Sequence, residues 1–486
     1  MWHRILPCAA LGGAATLLLS GACRRDPTRP PHIVLIMIDT LRARNLGCYG
    51  YPRPTTPSID GFARDAALFE NAISVGGNTT TAMPSLFTGR YAFFEYGDVW
   101  TEVSYGMERY RRGPRRRSHP GRSPPRSTVG LGLPKAMTTV AEYLSTVGYR
   151  TAGFITNPYL KSTFSMQQGF GHYEEVLDTH GEPDRAARAP RVLERALGFL
   201  GSVDLEQPTF LYLHFMDTHE PYREPDPAVV GPLPDSFTRV RHDELWRSWD
   251  KLANVGEVGH EFELKYMTAA YDSALRQVDE AVGGLHRYYR ERGLLESTLF
   301  VITSDHGEEF LEHGGTGHKG SLFEEILHVP LVVRAPGGLR RTRLSQLVRN
   351  FDVAPTLLDY AGIPRPATMD ARSLRPALEG RSFDGPTTAY ANFPGIRMIR
   401  TERYKLLRHE DGSELLFDLA TDPGETTSLT RSTDATVQGT YLSLARAMDR
   451  TVEKLRRQGV SKRGPLEAVA LDEATRAQLR ALGYVE

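Results

Sequence analysis

Three long apolar runs constrain the fold of this 486-residue chain more than any other feature of its sequence. They are "HIVLIMID" (32–39), "TFLYLHFMD" (209–217) and "STLFVITSD" (297–305), and a fourth, "VPLVVRAP" (329–336), follows closely. Runs of this kind are typical of strands that are buried on both faces of a parallel sheet. Helix-like segments, including 136–149 and 271–293, lie between them. The order predicts an α/β domain with a mainly parallel sheet and helices on both of its faces.

The character of the sequence changes near residue 381. Residues 398–426 alternate apolar and polar side chains around turn signals, which predicts antiparallel strands, and a helical stretch follows them. We therefore divide the chain into a catalytic domain, 32–380, and a smaller C-terminal α+β subdomain, 381–486. Residues 107–127 are rich in Arg, Pro, Ser and Gly and cannot build a core, so we expect a flexible surface insertion there.

The first 23 residues predict export. A weakly basic start precedes an apolar stretch, and small residues lead to Cys23. Residues 20–23 resemble a bacterial lipoprotein cleavage box in which Cys23 carries the lipid; the alternative is an uncleaved N-terminal membrane anchor. We interpret 1–23 as a signal segment and 24–31 as a linker. This places the mature chain in the periplasm or cell envelope of a bacterium.

Composition excludes several classes of protein. The formal net charge is zero, so no global feature indicates a nucleic-acid partner. The chain has only three cysteines, which excludes a disulfide framework and a zinc site built from cysteine.

Each of the three runs ends in an aspartate, and histidines follow two of them. Asp39 ends the first run, Asp217 ends the second with His219 close behind, and Asp305–His306 end the third. Ligands of open α/β sheets bind beyond the carboxyl ends of the strands, so neighbouring strands would bring these side chains to one rim. Carboxylate and imidazole groups suit a divalent cation such as zinc or manganese. The alternative is that each aspartate only caps a turn or a helix.

The segment "SDHGEEFLEHGGTGHKGSLFEE" (304–325) strengthens this prediction. Its glycines allow the backbone to wrap closely around a bound group. We expect His313, His318 and Lys319 to lie within reach of the site. A lysine there would supply a compact positive charge for an anionic substrate group.

Seven stretches, in this order, resemble the sulfatase family of the alkaline phosphatase superfamily. They are "IVLIMIDTLRARNLGCYGYPRPTTPSIDGFARDAALFENA" (33–72), "SLFTGRY" (85–91), "LYLHFMDTHEPY" (211–222), "VITSDHGEEFLEHG" (301–314), "HKGSLFEEILHVPLVV" (318–333), "FDVAPTLLDYAGIP" (351–364) and "YKLLRHEDGSELLFDLATDPGE" (404–425). The resemblance implies the fold of that superfamily: a mixed, mainly parallel sheet between helices, with a smaller C-terminal α+β subdomain.

The resemblance also implies roles for individual residues. Asp39, Asp305 and His306 match the metal ligands, and the metal would be zinc, manganese, magnesium or calcium. The nucleophile position aligns with Thr79, which would also contact the metal. His219 and Lys319 match positions that contact the substrate anion or its leaving group, and His318 lies beside Lys319 in the chain.

The nucleophile loop, "NTTTAMPSLFTG" (78–89), departs from sulfatases. Those enzymes form formylglycine from Cys or Ser in the motif Cys-x-Pro-x-Arg, whereas Thr79, Thr81 and Met83 occupy these positions here. Thr40 replaces the usual second metal aspartate. The aldehyde hydrate of sulfatase chemistry therefore cannot form on this loop.

The altered pattern is similar to that of phosphoethanolamine transferases and lipoteichoic acid synthases. These enzymes use one carboxylate, a threonine nucleophile and an Asp–His pair followed twelve residues later by a histidine. Asp39, Thr79, Asp305–His306 and His318 reproduce that spacing. Nucleotide pyrophosphatase/phosphodiesterases also use a metal-bound threonine.

From this pattern we predict an exported metal-dependent hydrolase that cleaves a phosphate ester, or transfers its phosphoryl group, through Thr79. We expect Thr79 to lie at a surface rim and to start a helix whose N–H groups bind the anion, with Thr80 and Thr81 as cap and packing residues. One alternative is a sulfuric ester hydrolase that acts without formylglycine; another is a catalytically inactive binding protein that keeps the fold. The expected partner is an anionic ester of a sugar, a lipid or a small molecule.

Overall fold

The computed structural model describes residues 29–91, 129–176, 188–232, 261–318, 320–338, 342–393, 395–457 and 467–481, together with Leu245 and Trp249. The signal segment 1–23, with Cys23, and the insertion 107–127 lie outside the described residues. Lys319 lies outside them as well. The predictions for these positions therefore stay predictions.

The strands of the described residues fall into one large sheet, one smaller antiparallel sheet and two short pairs. In chain order they are β1 (His32–Ile38), β2 (Ala67–Ile73), β3 (Val129–Gly132), β4 (Arg150–Ile155), β5 (His172–Glu175), β6 (Thr209–Phe215), β7 (Thr298–Thr303), β8 (Glu309–Phe310), β9 (Thr316–Gly317), β10 (Leu331–Arg334), β11 (Thr342–Arg349), β12 (Ala389–Phe393), β13 (Ile396–Arg400), β14 (Tyr404–His409), β15 (Glu414–Asp418) and β16 (Glu467–Ala470).

The α-helices of the same residues range from single turns to a helix of 31 residues. They are α1 (Pro57–Phe62), α2 (Thr79–Thr88), α3 (Val140–Thr146), α4 (Ala189–Ser202), α5 (Pro227–Val230), α6 (Glu261–Glu291), α7 (Glu324–Leu327), α8 (Val353–Tyr360), α9 (Arg375–Leu378), α10 (Ala435–Leu455) and α11 (Glu473–Ala481). Within the described part of the chain, none of them combines the length and the apolar character needed to cross a membrane.

The large sheet has eight strands in the order β11-β2-β10-β7-β1-β6-β4-β5. β1 lies between β7 and β6 and is parallel to both, with Ile36 opposite Leu213 on one side and Ile302 on the other. The three long apolar runs are therefore neighbouring parallel strands, as predicted. The fourth run forms β10, which is antiparallel to β7 and to β2. The sheet is mixed and mainly parallel, which confirms the predicted fold class.

Helices cover both faces of this sheet because the strands are apolar on both sides. All seven residues of β1 are buried. Ile33, Leu35 and Met37 belong to a core shared with α2 and α8, whereas the side chains between them belong to a core shared with α4 and α6. Burial of a continuous apolar strand on two faces is the main force that fixes β1 at the centre of the domain.

The C-terminal subdomain is built on a four-stranded antiparallel sheet in the order β12-β13-β14-β15. Helix α10 packs against β13 and β14. The antiparallel strands predicted from the alternating pattern are confirmed. The chain then returns to the larger domain, where β16 pairs with β3.

Candidate functional site

Asp39, Asp305 and His306 lie together at the carboxyl ends of β1 and β7. All three side chains are fully buried, and one ligand atom from each lies within 4.8 Å of the others. His306 Nε2 is 3.8 Å from Asp39 Oδ1 and 3.3 Å from Asp305 Oδ2. Parallel pairing of β1 with β7 brings the loops after these strands to the same edge of the sheet. We call these three residues the Asp39 cluster.

Thr79 is the first residue of α2 and lies beside this cluster. Its Oγ1 is 3.3 Å from His306 Nε2 and 3.4 Å from Asn157 Nδ2. The prediction that Thr79 starts a helix is confirmed. The expectation of a surface rim is wrong, because Thr79 is only 2% exposed between the helix and the loops after β4 and β7.

Asn78, rather than Thr80 or Thr81, caps α2. Its Oδ1 accepts the N–H of Thr81 at 3.0 Å, and the hydroxyls of Thr80 and Thr81 donate to the same oxygen. An asparagine side chain satisfies the open N–H groups of a first helical turn better than the threonines within that turn can. Met83, at the position of the family's arginine, is fully buried in the apolar core.

Thr40 supplies no carboxylate; it connects the loop after β1 to the loops after β6 and β7 by hydrogen bonds. Its backbone is left-handed, with φ of 55°, and its N–H donates to Asp305 Oδ1 at 3.3 Å. Its hydroxyl donates to the carbonyl of Thr218 at 2.7 Å, and the Thr218 hydroxyl donates to the carbonyl of Asp39 at 2.6 Å. These bonds fix the loop after β1 against the loop after β6.

The Asp39 cluster fits a divalent cation. Asp39 Oδ1 and Asp305 Oδ2 are buried and accept no hydrogen bond from the described residues. A buried acceptor without a partner costs about 1–3 kcal/mol, and more when it is charged. Burial, followed by the nearby charge of Asp305, raises the pKa of Asp39 well above its ordinary value. A bound cation would give the two oxygens a partner and would favour the ionised form of Asp39. The residues present therefore suit the metal that the resemblance implies.

His306 is oriented as a ligand. Its Nδ1 lies 3.0 Å from the carbonyl oxygen of Gly307, so Nδ1–H donates there and Nε2 keeps its lone pair. Burial lowers the pKa of His306, which favours the neutral imidazole that binds metals. Two carboxylate oxygens and one imidazole nitrogen suit zinc or manganese.

His219 and His318 lie beside the cluster. The His318 ring centroid is 4.5 Å from that of His306 and 4.8 Å from that of His219. Both side chains are buried, and burial lowers the pKa of His219 well below its ordinary value. His318 Nδ1 lies 3.4 Å from Glu308 Oε1. The structure thus brings together Asp39, Thr79, His219, Asp305, His306 and His318.

Asp217 and His313 do not join this group. Asp217 Oδ1 accepts the N–H of Ala189 at the start of α4, at 3.1 Å, so it has the helix-capping role considered as the alternative. His313 Nδ1 lies 2.7 Å from Glu325 Oε1, and the His313 ring stacks on Phe323. The sequence placed both residues near the site, but it could not show which way their side chains point.

Sequence reasoning missed two buried residues that contact Asp39. Asn157 Nδ2 donates to Asp39 Oδ2 at 2.6 Å, and His214 Nε2 lies 3.5 Å from the same oxygen. Asn157 follows the end of β4, so the rule that selected the aspartates could have found it. His214 lies inside an apolar run, so the sequence pattern gives no sign of a role in the site. It lies near Asp39 because its side chain is on the face of β6 that is turned toward that residue.

The chain belongs to the sulfatase family. The sulfatase family model matches residues 31–363, and the model of the N-sulphoglucosamine sulphohydrolase C-terminal region matches residues 312–458. The family's members are metal-dependent, and this chain is an ester hydrolase of that family with carboxylate and histidine groups that could hold a metal.

A curated relative is similar along most of the chain, and solved structures share the fold. Human arylsulfatase A is 27% identical over 472 residues, which cover 86% of this chain and 87% of the relative. The phosphonate monoester hydrolase of Agrobacterium radiobacter superposes with a TM-score of 0.62 at 20% identity, over 88% of this chain and 96% of that one. An enzyme in complex with its substrate D-glucosamine-2-N,6-O-disulfate superposes with a TM-score of 0.63 at 20% identity, over 88% and 99%.

Proposed function

We propose that this enzyme hydrolyses a phosphate ester with Thr79 as its nucleophile. The observation that carries the proposal is the position of Thr79 Oγ1, 3.3 Å from His306 Nε2 in a buried site. The Asp39 cluster beside it has two acceptor oxygens without donors among the described residues. Formylglycine cannot form here, and a threonine in this position offers an oxygen nucleophile instead.

The residues of the site have complementary roles in this reaction. A divalent cation held by Asp39, Asp305 and His306 would supply positive charge that lowers the pKa of an adjacent hydroxyl. Thr79 Oγ1 forms a bond to phosphorus as the bond from phosphorus to the ester oxygen breaks. His219 or His318 accepts the hydroxyl proton of Thr79 and passes it to the departing ester oxygen. Water then cleaves the phosphothreonine, which releases phosphate and restores the hydroxyl.

The start of α2 supports binding of the anion. The first N–H groups of a helix have no partner within the helix and point toward its N-terminal end, where the helix dipole also favours negative charge. Asn78 takes the N–H of Thr81, which leaves those of Thr79 and Thr80 for a phosphate oxygen. Lys319 is proposed as an additional positive charge for the same group.

Hydrolysis of a sulfate ester is the second candidate. The family and its arylsulfatase relatives favour it, as does the sulfated sugar bound to one structural neighbour. The phosphonate monoester hydrolase neighbour favours phosphorus chemistry on the same fold. An inactive binding protein fits least well, because a scaffold without a ligand gains nothing from two buried carboxylate oxygens that lack donors.

A paired assay tests the proposal. The purified protein would be loaded separately with zinc, manganese, magnesium and calcium, and offered an aryl sulfate, an aryl phosphate monoester and an aryl phosphodiester. We expect turnover of a phosphate ester, and an acid-quenched reaction should yield a peptide phosphorylated at Thr79. Turnover of the sulfate ester alone would refute the proposal.

We also propose that the enzyme is exported and attached to the cell envelope through lipidated Cys23. The motif at 20–23 supports this proposal, and an uncleaved N-terminal anchor is its alternative. Labelling with a fatty acid in a bacterial host tests it. Label lost in Cys23→Ala supports the lipid, whereas a membrane-bound protein without label supports the anchor.

A further inference from the structure

Asn157 is a fully buried side chain that connects the nucleophile to the Asp39 cluster. Its Nδ2 donates to Asp39 Oδ2 at 2.6 Å and lies 3.4 Å from Thr79 Oγ1. Among the described residues it is the side chain that hydrogen-bonds both Asp39 and Thr79. It therefore contacts the metal set and the nucleophile at once.

The backbone around Asn157 fixes the orientation of its amide. Asn157 Oδ1 accepts the N–H of Tyr159 at 2.9 Å, in the short turn that follows β4. An amide oxygen bound in this way leaves the NH₂ group facing the site, and that group carries two N–H donors. One donor serves the carboxylate of Asp39, and the other is available to Thr79.

His214, on β6, lies near the same carboxylate oxygen, but its Nε2 makes no hydrogen bond to the described residues. Its Nε2 lies 3.5 Å from Asp39 Oδ2, and its Nδ1 lies 3.4 Å from Thr156 Oγ1. Asp39 Oδ2 thus accepts the N–H of Asn157, whereas Oδ1 accepts no hydrogen bond from the described residues. The two oxygens of Asp39 have separate partners: Oδ2 is anchored by the protein, and Oδ1 faces the other members of the cluster.

We infer that Asn157 is the positioning residue of this site, which aims Asp39 Oδ1 at the cation and Thr79 Oγ1 at the substrate. The part that concerns Thr79 rests on the proposed function. Groups that hydrogen-bond a metal-ligating carboxylate orient it, and losing one typically weakens metal affinity or activity by roughly 10- to 100-fold. An N–H directed at Thr79 Oγ1 also stabilises the negative charge that develops on this oxygen before attack.

Asn157→Ser separates this role from local folding. Serine keeps a short oxygen that can accept the N–H of Tyr159, but it cannot reach Asp39. Calorimetric titration of the metal-free protein with Mn²⁺ should give a Kd roughly 10- to 100-fold weaker than in wild type. The kcat on the phosphate ester should fall while KM changes little. Asn71→Ser is the matched control, because the Asn71 amide binds the carbonyl of Ser345 on a surface strand.

Unchanged Mn²⁺ affinity and unchanged kcat in Asn157→Ser would overturn the inference. If that variant does not fold, Asn157→Asp keeps the side-chain shape and the acceptor for Tyr159 but removes both donors, and an unchanged kcat would overturn the inference equally. The Mn²⁺ titration does not depend on turnover. Weaker Mn²⁺ binding in a protein that cleaves no phosphate ester would therefore uphold the anchoring of Asp39 while refuting the proposed function.

Discussion

Two clusters of carboxylates with one histidine lie in the described part of the chain, and their hydrogen bonding differs. One is the Asp39 cluster; the other, which we call the Glu309 cluster, contains Glu309, His313 and Glu325. In the Glu309 cluster, Oε1 of Glu309 accepts the N–H groups of His313 at 3.1 Å and Gly315 at 2.7 Å. In the Asp39 cluster, two buried carboxylate oxygens accept no hydrogen bond from the described residues.

The comparison shows why residue type alone does not identify a metal site. Each cluster has three ligand atoms close together. In the Glu309 cluster, however, these atoms make hydrogen bonds to neighbouring parts of the protein. His313 pairs with Glu325, stacks on Phe323 and contacts the carbonyl of Glu425, which connects the β8–β9 hairpin to the C-terminal subdomain. A buried acceptor without a partner needs a further group such as an ion or a water, and of these two clusters the Asp39 cluster is the one that has such acceptors among the described residues. We therefore expect the cation in the Asp39 cluster alone of these two.

The largest effect is expected from Thr79→Ala. Removing the attacking oxygen should lower kcat on the phosphate ester by roughly three orders of magnitude or more, because residues that act as one catalytic unit fail together. The far-UV circular dichroism should stay close to wild type, and the melting temperature should fall slightly because the side chain that is shortened is buried. Thr80→Ala is the control, since the Thr80 hydroxyl donates to the cap residue Asn78 and, among the described residues, makes no hydrogen bond to the Asp39 cluster. A Thr79→Ala variant that keeps most of its activity would remove Thr79 from its role.

The next effect separates the two clusters directly. Asp305→Asn should abolish the binding of Mn²⁺ measured by metal analysis after dialysis, because it removes a charged ligand. Glu309→Gln should retain the metal and lower the free energy of unfolding by at most about 1 kcal/mol, since the amide oxygen of glutamine still accepts the N–H groups of His313 and Gly315 and only the charge is lost. Loss of metal in Glu309→Gln with normal binding in Asp305→Asn would reverse the comparison.

A smaller effect concerns Asp217, the strand-end aspartate that lies outside the cluster. Burial raises the pKa of Asp217 from 3.8 to about 6, so the folded protein holds this proton more tightly than the unfolded chain. The contribution of Asp217 to stability therefore falls as pH rises from about 4 to about 6, by about 2–3 kcal/mol. Asp217→Asn should lack this decline. Chemical denaturation of both proteins between pH 4 and pH 7 would measure the difference, and parallel pH curves would contradict it.

The smallest effect is expected from His313→Gln in the Glu309 cluster. Burial lowers the pKa of His313, but the hydrogen bond and charge of Glu325 outweigh it and raise the pKa above 6.5. The ion pair should therefore stabilise the protein fully below pH 6.5 and progressively less as pH rises through the folded pKa. We expect the variant to lose up to about 1 kcal/mol at pH 6 and less at pH 8.5. An equal loss at both pH values would show that the charge contributes nothing.

The fold followed from the sequence where burial leaves a simple pattern. The apolar run of 32–38 predicted a central strand because both of its faces are covered, and the structure confirms it. The bounds of helix α6 were harder to predict, since the helix starts at Glu261 and the sequence pattern indicated a start near residue 271. Its first turns combine charged and apolar side chains, and tertiary packing rather than a clear stop signal decides where such a helix begins.

The site was predictable as far as strand ends and spacing define it. Asp39, Asp305 and His306 were placed correctly relative to one another because parallel strands end at one edge. Asp217 ends its run in the same way, yet it faces the start of α4. The conformation of the backbone after the last strand residue sets the direction of a side chain. The pattern of apolar residues does not predict that conformation. Asn157 was missed because an asparagine in a turn usually serves the backbone alone.

Anomalous diffraction from a crystal soaked in Mn²⁺ would locate the cation. We predict a peak enclosed by Asp39, Asp305 and His306, next to Thr79 Oγ1, and no peak at the Glu309 cluster. A peak at the Glu309 cluster with none at Asp39 would contradict this prediction, because the cation would then occupy the cluster whose hydrogen bonds are already complete.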